Sequence, residues 1–258
     1  MSVRTATIAV MRPGGVVAEA VAAAGASGAD LLVLPEPPQR PPEASDGALA
    51  HEMAGLAESH ALALCYAYRE ACSGQVHHAL QLVQADGRAT ANYRSTHLTQ
   101  TAIAAGHMPG NWLTMARLEP LAVRQSKVSA PPPAAERSLV LGLLGGIDHL
   151  APEVARVLSA LGAELLIAVI DADARCAPDL LEPLARLRAI ENGVPVLLVD
   201  PAGTARAAAT GGARVDVVEH GEVVLATLPI DAPDTTTAPA AMPRRPELYG
   251  QLTLARRD

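Results

Sequence analysis

Leu31-Leu32-Val33-Leu34 is a run of four aliphatic residues closed directly by Pro35. No other feature narrows the fold as much. A strand that is apolar on both faces belongs inside a sheet covered on both sides, and a proline at its end cannot extend the hydrogen-bond ladder. The runs Ala61 to Tyr68, Ser138 to Leu144, Glu164 to Ile170 and Val194 to Val199 have the same character, and Val3 to Val10 reads as a further strand. Between them lie helical patterns: Val16 to Ala24 with Gly25 as a stop, Ala48 to His60, Pro152 to Leu161, and Asp179 to Asn192 with Gly193 suited to the position just past a helix end.

The middle and the end of the chain change rhythm. His77 to Gln84 and Arg88 to Tyr93 flank Asp86-Gly87, a strong hairpin signal, and Arg214 to Glu219 and Glu222 to Leu228 flank His220-Gly221 in the same way. Weaker strand candidates, Leu113 to Leu118 and Leu121 to Val128, precede a Pro-rich insertion at Pro131-Pro132-Pro133. Pro37 to Pro42, Ser95 to Asn111 and the Ala/Gly/Thr-rich stretch before the last hairpin read as loops, and the tail from about residue 231 as irregular. The order implies α/β architecture in one domain spanning residues 1–258: packed sheets covered outside by helices.

Half of the 258 residues are hydrophobic, yet there is no Phe, one Trp and only four Tyr, so the core has to be built from Ala, Val and Leu. A net charge of -7 and the scarcity of aromatic platforms argue against a nucleic-acid partner. No apolar stretch approaches the length of a membrane span, and no leader-like segment opens the chain, so a soluble cytoplasmic protein is expected. Cys65, Cys72 and Cys176 lack metal-ligand spacing, and neighbouring His77 and His78 would point to opposite faces of a strand; no metal and no cofactor is expected.

Five local signatures in order resemble the nitrilase superfamily of carbon-nitrogen hydrolases over nearly the whole chain. They are Leu31 to Glu36; Asp86-Gly87 with Tyr93-Arg94-Ser95-Thr96-His97-Leu98; Gly142 to Glu153; Arg188-Ala189-Ile190-Glu191-Asn192-Gly193; and Arg244 to Tyr249. The resemblance implies a four-layer α-β-β-α sandwich and a homodimer. It also implies hydrolysis of amides or nitriles by a Cys nucleophile through a thioester, with a Glu base and a Lys beside the oxyanion.

Only the Glu is retained, as Glu36. Ser95 stands where the family has Lys, and Gly146 where it has Cys. The second Glu of the family should fall near Ile103, and Thr99 to Gly110 contains no acid. Lys127 is the single lysine of the chain and lies elsewhere. The leading expectation is therefore a pseudoenzyme with a binding, scaffolding or regulatory role, its partner a protein or a small amide-like ligand. The alternative is an active amidase-like enzyme using Glu36 with water, or Cys176 as a migrated nucleophile.

Each remaining candidate has a plain structural reading beside the functional one. Glu36 without its Lys is either a relic hydrogen-bond acceptor or a pocket residue, and, if buried, needs a raised pKa or a new partner such as His97. Asp148 and His149 are pocket candidates, but an acidic N-cap before Pro152 explains them as well. Tyr66 and Tyr68 could line the pocket or simply end a strand. Cys176, beside Arg175, is most simply a loop thiol, and Cys65 core.

Overall fold

The computed structural model describes residues 4–37, 40–119, 138–172, 177–230, 247 and 249–250. Among these the chain runs β1 (Thr5–Met11), α1 (Val17–Ala26), β2 (Leu31–Leu34), α2 (Ala48–His60), β3 (Ala63–Cys72), β4 (Gln75–Val83), β5 (Ala89–Arg94), α3 (Gln100–Ala104) and β6 (Met115–Leu118). It continues with β7 (Leu139–Gly145), α4 (Pro152–Ala160), β8 (Leu165–Val169), α5 (Pro178–Asn192), β9 (Val196–Val199), β10 (Ala205–Ala208), β11 (Arg214–Val215), β12 (Val217–His220) and β13 (Val223–Pro229).

The described strands form two sheets, ordered β12-β13-β1-β2-β3-β4-β5 and β11-β10-β9-β8-β7-β6. Each has a parallel centre made by strand-helix-strand units, β1-β2-β3 in one and β7-β8-β9 in the other. Antiparallel hairpin strands extend both. Alternate residues of each strand then serve two different cores. Ile8, Val33, Cys65, Leu82, Leu143, Ile167 and Leu197 meet between the sheets. Leu32, Leu64 and Tyr66 turn outward against Ala20, Ala24, Met53 and Ala57 of α1 and α2. Leu144, Leu166 and Leu198 do the same against Leu158, Ala185 and Ala189 of α4 and α5. This is the four-layer sandwich, and the alanines facing the sheets are what let the helices sit close without large aromatics.

Three elements depart from the sequence reading. The run from Arg214 to Glu219 is not one strand: Val215 pairs with Ala207 in the second sheet, while Val217 pairs with Ala226 in the first. The apolar alternation continues across Asp216 as the chain crosses from one sheet to the other, and so reads as unbroken. Strand β10 lies in the Ala-rich stretch read as loop, because burial against α5 and β9 suffices to hold small residues with little intrinsic strand preference. Helix α3 forms inside the expected loop from Ser95, capped by the Thr99 hydroxyl accepting from Ala102 N–H. The strand candidate Leu121 to Val128, Lys127, Arg175, Cys176 and the Pro-rich insertion lie outside the described residues.

Candidate active site

Pro35 ends β2 because it brings no N–H to the ladder, and Glu36 therefore leaves the sheet at its edge. Three other ends converge there: Ser95 just past β5, Gly145-Gly146 at the end of β7, and Asp171 two residues past β8. His78 of β4 and Arg69 of β3, both on the faces turned toward the second sheet, complete the group.

Glu36, one-fifth exposed at its side chain, is ion-paired through Oε1 to Arg69 Nε at 3.0 Å. Its Oε2 lies 3.4 Å from His78 Nδ1. The same nitrogen is 3.4 Å from Asp171 Oδ2. On the other side of the ring, His78 Nε2 and His107 Nδ1 share a hydrogen bond of 2.7 Å, with the rings edge to face at 4.4 Å. The new partner of Glu36 is thus Arg69 with His78, and not His97.

Gly146 adopts φ +55°, a left-handed conformation that favours glycine. A Cβ built there would lie 2.9 Å from Asp171 Oδ2 and 3.3 Å from Ser95 Oγ. A side chain at this position would crowd the tip of the Asp171 carboxylate and stand beside the Ser95 hydroxyl. The Gly146 N–H is committed as well, donating to Val169 O at 3.2 Å.

His97 is held away by Asp148. That carboxylate, fully buried, accepts from Thr96 Oγ1 at 2.7 Å and His97 N–H at 2.9 Å, sits 2.8 Å from His97 Nδ1, and accepts from Thr96 N–H at 3.1 Å. It also accepts from the hydroxyl of Tyr93, whose pKa is pushed up first by burial and then by Asp148 itself. Asp148 is consequently neither the N-cap of α4, whose cap residue is Ala151, nor a pocket residue. It sits in a single 3-10 turn and folds the segment Tyr93 to His97 around itself.

His149 beside it is buried, with Nδ1 on Gly146 O at 2.8 Å. Burial lowers its pKa and so favours the neutral ring. Arg188 closes the turn from α5, donating to His149 O at 3.3 Å and Leu150 O at 3.1 Å. The Arg-Ala-Ile-Glu-Asn signature is thereby structural: Asn192 Nδ2 returns a hydrogen bond to Arg188 O at 2.8 Å.

Tyr66 is buried on the helix side of its sheet, its hydroxyl donating to Gln81. Its alternation along β3 turns it away from the site. Tyr68 lines a small cleft with Glu36, Pro37, Arg40 and Arg69. Arg94 forms a bidentate pair with buried Glu70, at 2.7 and 2.8 Å, on the outer face of the sheet. Burial alone would raise the Glu70 pKa, but the hydrogen bonds from Arg94 and Asn92 outweigh it and hold the carboxyl below its ordinary value. The Cys65 thiol is pushed up to about 12 by burial and is inert core.

His77 and His78 do point to opposite faces, His77 Nδ1 lying 2.8 Å from Met108 O. Among the described residues no group of three or more His, Cys, Asp or Glu is arranged to hold a metal ion, and no helix is long and apolar enough to cross a membrane. Sequence reasoning missed Arg69, His107 and Asp171. Asp171 had a signal: it is an acid two positions past a buried parallel strand, as Glu36 is.

Residues 15–226 match the carbon-nitrogen hydrolase family, to which this chain belongs. The fold matches that of an amidase of the nitrilase superfamily from Nesterenkonia sp., solved as a cysteine-to-alanine mutant, with a TM-score of 0.71 and 21% identity over 96% of this chain and 97% of that one. It also matches a carbon-nitrogen hydrolase from Helicobacter pylori, with a TM-score of 0.68 and 17% identity over 96% and 98% of the two chains. A curated relative, "Hydrolase in pqqF 5'region" of Pseudomonas protegens, is 39% identical over 85 residues, 28% of this chain and 30% of that protein. This chain therefore spans less than a third of that relative's length.

Proposed function

We propose that this member of the carbon-nitrogen hydrolase family has left the family's thioester reaction and acts as a non-catalytic protein toward amides and nitriles, binding a small carbonyl or amide-like ligand or serving a scaffolding or regulatory role. One observation carries the reading: a glycine at the nucleophile position with the Asp171 carboxylate 2.9 Å from where its Cβ would stand. No thiolate can form at that point, and Ser95 brings no cation to an oxyanion. The contrast is with the Nesterenkonia amidase, of which one mutant carries the acetamide moiety of fluoroacetamide covalently added at an active-site cysteine.

The assembly that fits is a homodimer. Leu150, Val157 and Leu161 around α4, and Leu180 and Leu187 of α5, expose apolar side chains on the outer helix layer, a surface suited to a second copy.

The test is ammonia release from a panel of amides, nitriles and carbamoyl compounds, comparing the native protein with Glu36→Gln and Cys176→Ala. No release from any substrate is expected. Turnover abolished by either substitution would overturn the reading.

A second reading, hydrolysis by water with Glu36 as general base, is favoured by the arrangement around His78, which a mere relic carboxylate does not require.

A further inference from the structure

We infer that His78 and His107 form a proton relay from Glu36 to solvent, and that the substrates of this site are activated acyl esters, such as aryl esters or lactones, in place of amides. This rests on the second reading, in which Glu36 activates water.

The contacts run without a break from Glu36 to His107. Glu36 Oε2 lies 3.4 Å from His78 Nδ1, and His78 Nε2 lies 2.7 Å from His107 Nδ1. His78 is nearly buried while His107 is only half-buried, so the pair leads outward. Charged and titratable groups facing His78 include Glu36, Asp171 and His107, together with Arg69, its cross-strand partner in β3, which is also paired to Glu36. A role for His107 as a mere fastener of its loop is already filled by others. Met108 N–H donates to Val76 O at 2.8 Å, and His77 Nδ1 holds Met108 O at 2.8 Å.

Proton balance selects the substrate. As water attacks an acyl carbon, Glu36 takes one of its protons; the tetrahedral species collapses and the bond to the leaving group breaks with its electron pair. When that group is an amine, it leaves protonated, the products are carboxylate and ammonium, and no net proton has to leave the site. When it is an alcohol or phenol, the products are carboxylate, alcohol and one proton. That proton passes from Glu36 to His78 Nδ1 as the Nε2 proton moves to His107 and on to water. A wire to solvent is useful only in the second case.

The poor oxyanion environment points the same way. With the Lys position filled by Ser95 and the Gly146 N–H donating to Val169 O, only an acyl group with a good leaving group is within reach of general-base catalysis.

The experiment compares 4-nitrophenyl acetate with acetamide, whose ammonia leaves protonated, across pH, using the native protein, Glu36→Gln, His107→Gln and His107→Ala. His107→Gln keeps a hydrogen-bonding partner for His78 but carries no proton. The expected result is ester cleavage that Glu36→Gln abolishes, and a fall in kcat of about tenfold or more in His107→Gln, with a rate that rises with buffer concentration. Added imidazole should restore His107→Ala, and the amide should not turn over.

Ester cleavage lost in Glu36→Gln but unchanged, with an unchanged pH profile, in His107→Gln would overturn the relay and leave the water reading standing. Amide cleavage as fast as ester cleavage would overturn the substrate class alone. Equal rates for native protein and Glu36→Gln on both substrates would overturn the water reading and the relay together.

Discussion

Two carboxylates at the same end of the sandwich have opposite situations. Asp148 is fully enclosed and spends both oxygens on Tyr93, Thr96 and His97, so it works as a fold-forming group. Glu36 stands at the pocket rim, a fifth exposed, with Arg69 on one oxygen and a histidine at long range on the other. The signatures around Asp148, Tyr93 to His97 and Arg188 to Asn192, build a scaffold that needs no catalysis to justify it. Around Glu36 the polar groups are close to one another yet loosely bonded. A family's local sequence signatures can therefore be carried by structural contacts alone.

This contrast is breakable, most sharply by Asp148→Ala. That change leaves the buried Tyr93 hydroxyl and the partly buried backbone N–H groups of Thr96 and His97 without their acceptor, and should cost about 3 kcal/mol or more in urea denaturation. A loss below about 1 kcal/mol would dissolve the distinction.

Next in size is Gly146→Cys, which forces a side chain into φ +55° and against Asp171, at a cost of about 1 to 3 kcal/mol. Even combined with Ser95→Lys it should give no ammonia release from acetamide, because Asp171 crowds the new side chain; recovery of amidase activity by that pair would refute the occlusion. Glu36→Gln should change stability by no more than about 1 kcal/mol in the same denaturation assay, as expected of a partly solvated pair.

Smallest and most graded is the pH response. His149 has its pKa lowered by burial from the ordinary 6.5, so the unfolded chain binds more protons there than the folded one as pH falls below 6.5, and stability drops with acid. Glu70, held below its ordinary 4.5, contributes stability above that pH which is lost as pH falls through its folded value. Melting temperatures of the native protein and His149→Asn between pH 7 and 5 should separate the two, with the variant the flatter; coincident curves would remove His149 from the account.

Much of the layered fold was legible, because apolar runs such as Leu31 to Leu34 and helices such as Ala48 to His60 carry their own period and stops. The run across Asp216 was not, since two strands in different sheets can share one alternation. In the site, that Gly146 and Ser95 offer neither a thiol nor a cation could be read directly, because an absent side chain is absent in any conformation. The pairing of Glu36 could not: His97, near in the motif, is claimed by Asp148, while Arg69 and His78 reach Glu36 from neighbouring strands. Asp148 itself looked like a cap because its role depends on residues some fifty positions away.

By itself the sequence determined that Gly146 and Ser95 bring neither thiol nor ammonium, the two-faced burial of the central strands, and a core of Ala, Val and Leu, all of them properties of composition and short-range pattern. Only the tertiary structure decided that Asp171 and Ser95 crowd Gly146 and that His78 lies between two carboxylates and a second histidine. Those contacts join the ends of β2, β4, β5, β7 and β8, and hydrogen bonds between strand ends depend on register and sheet packing, which no local stretch of residues encodes.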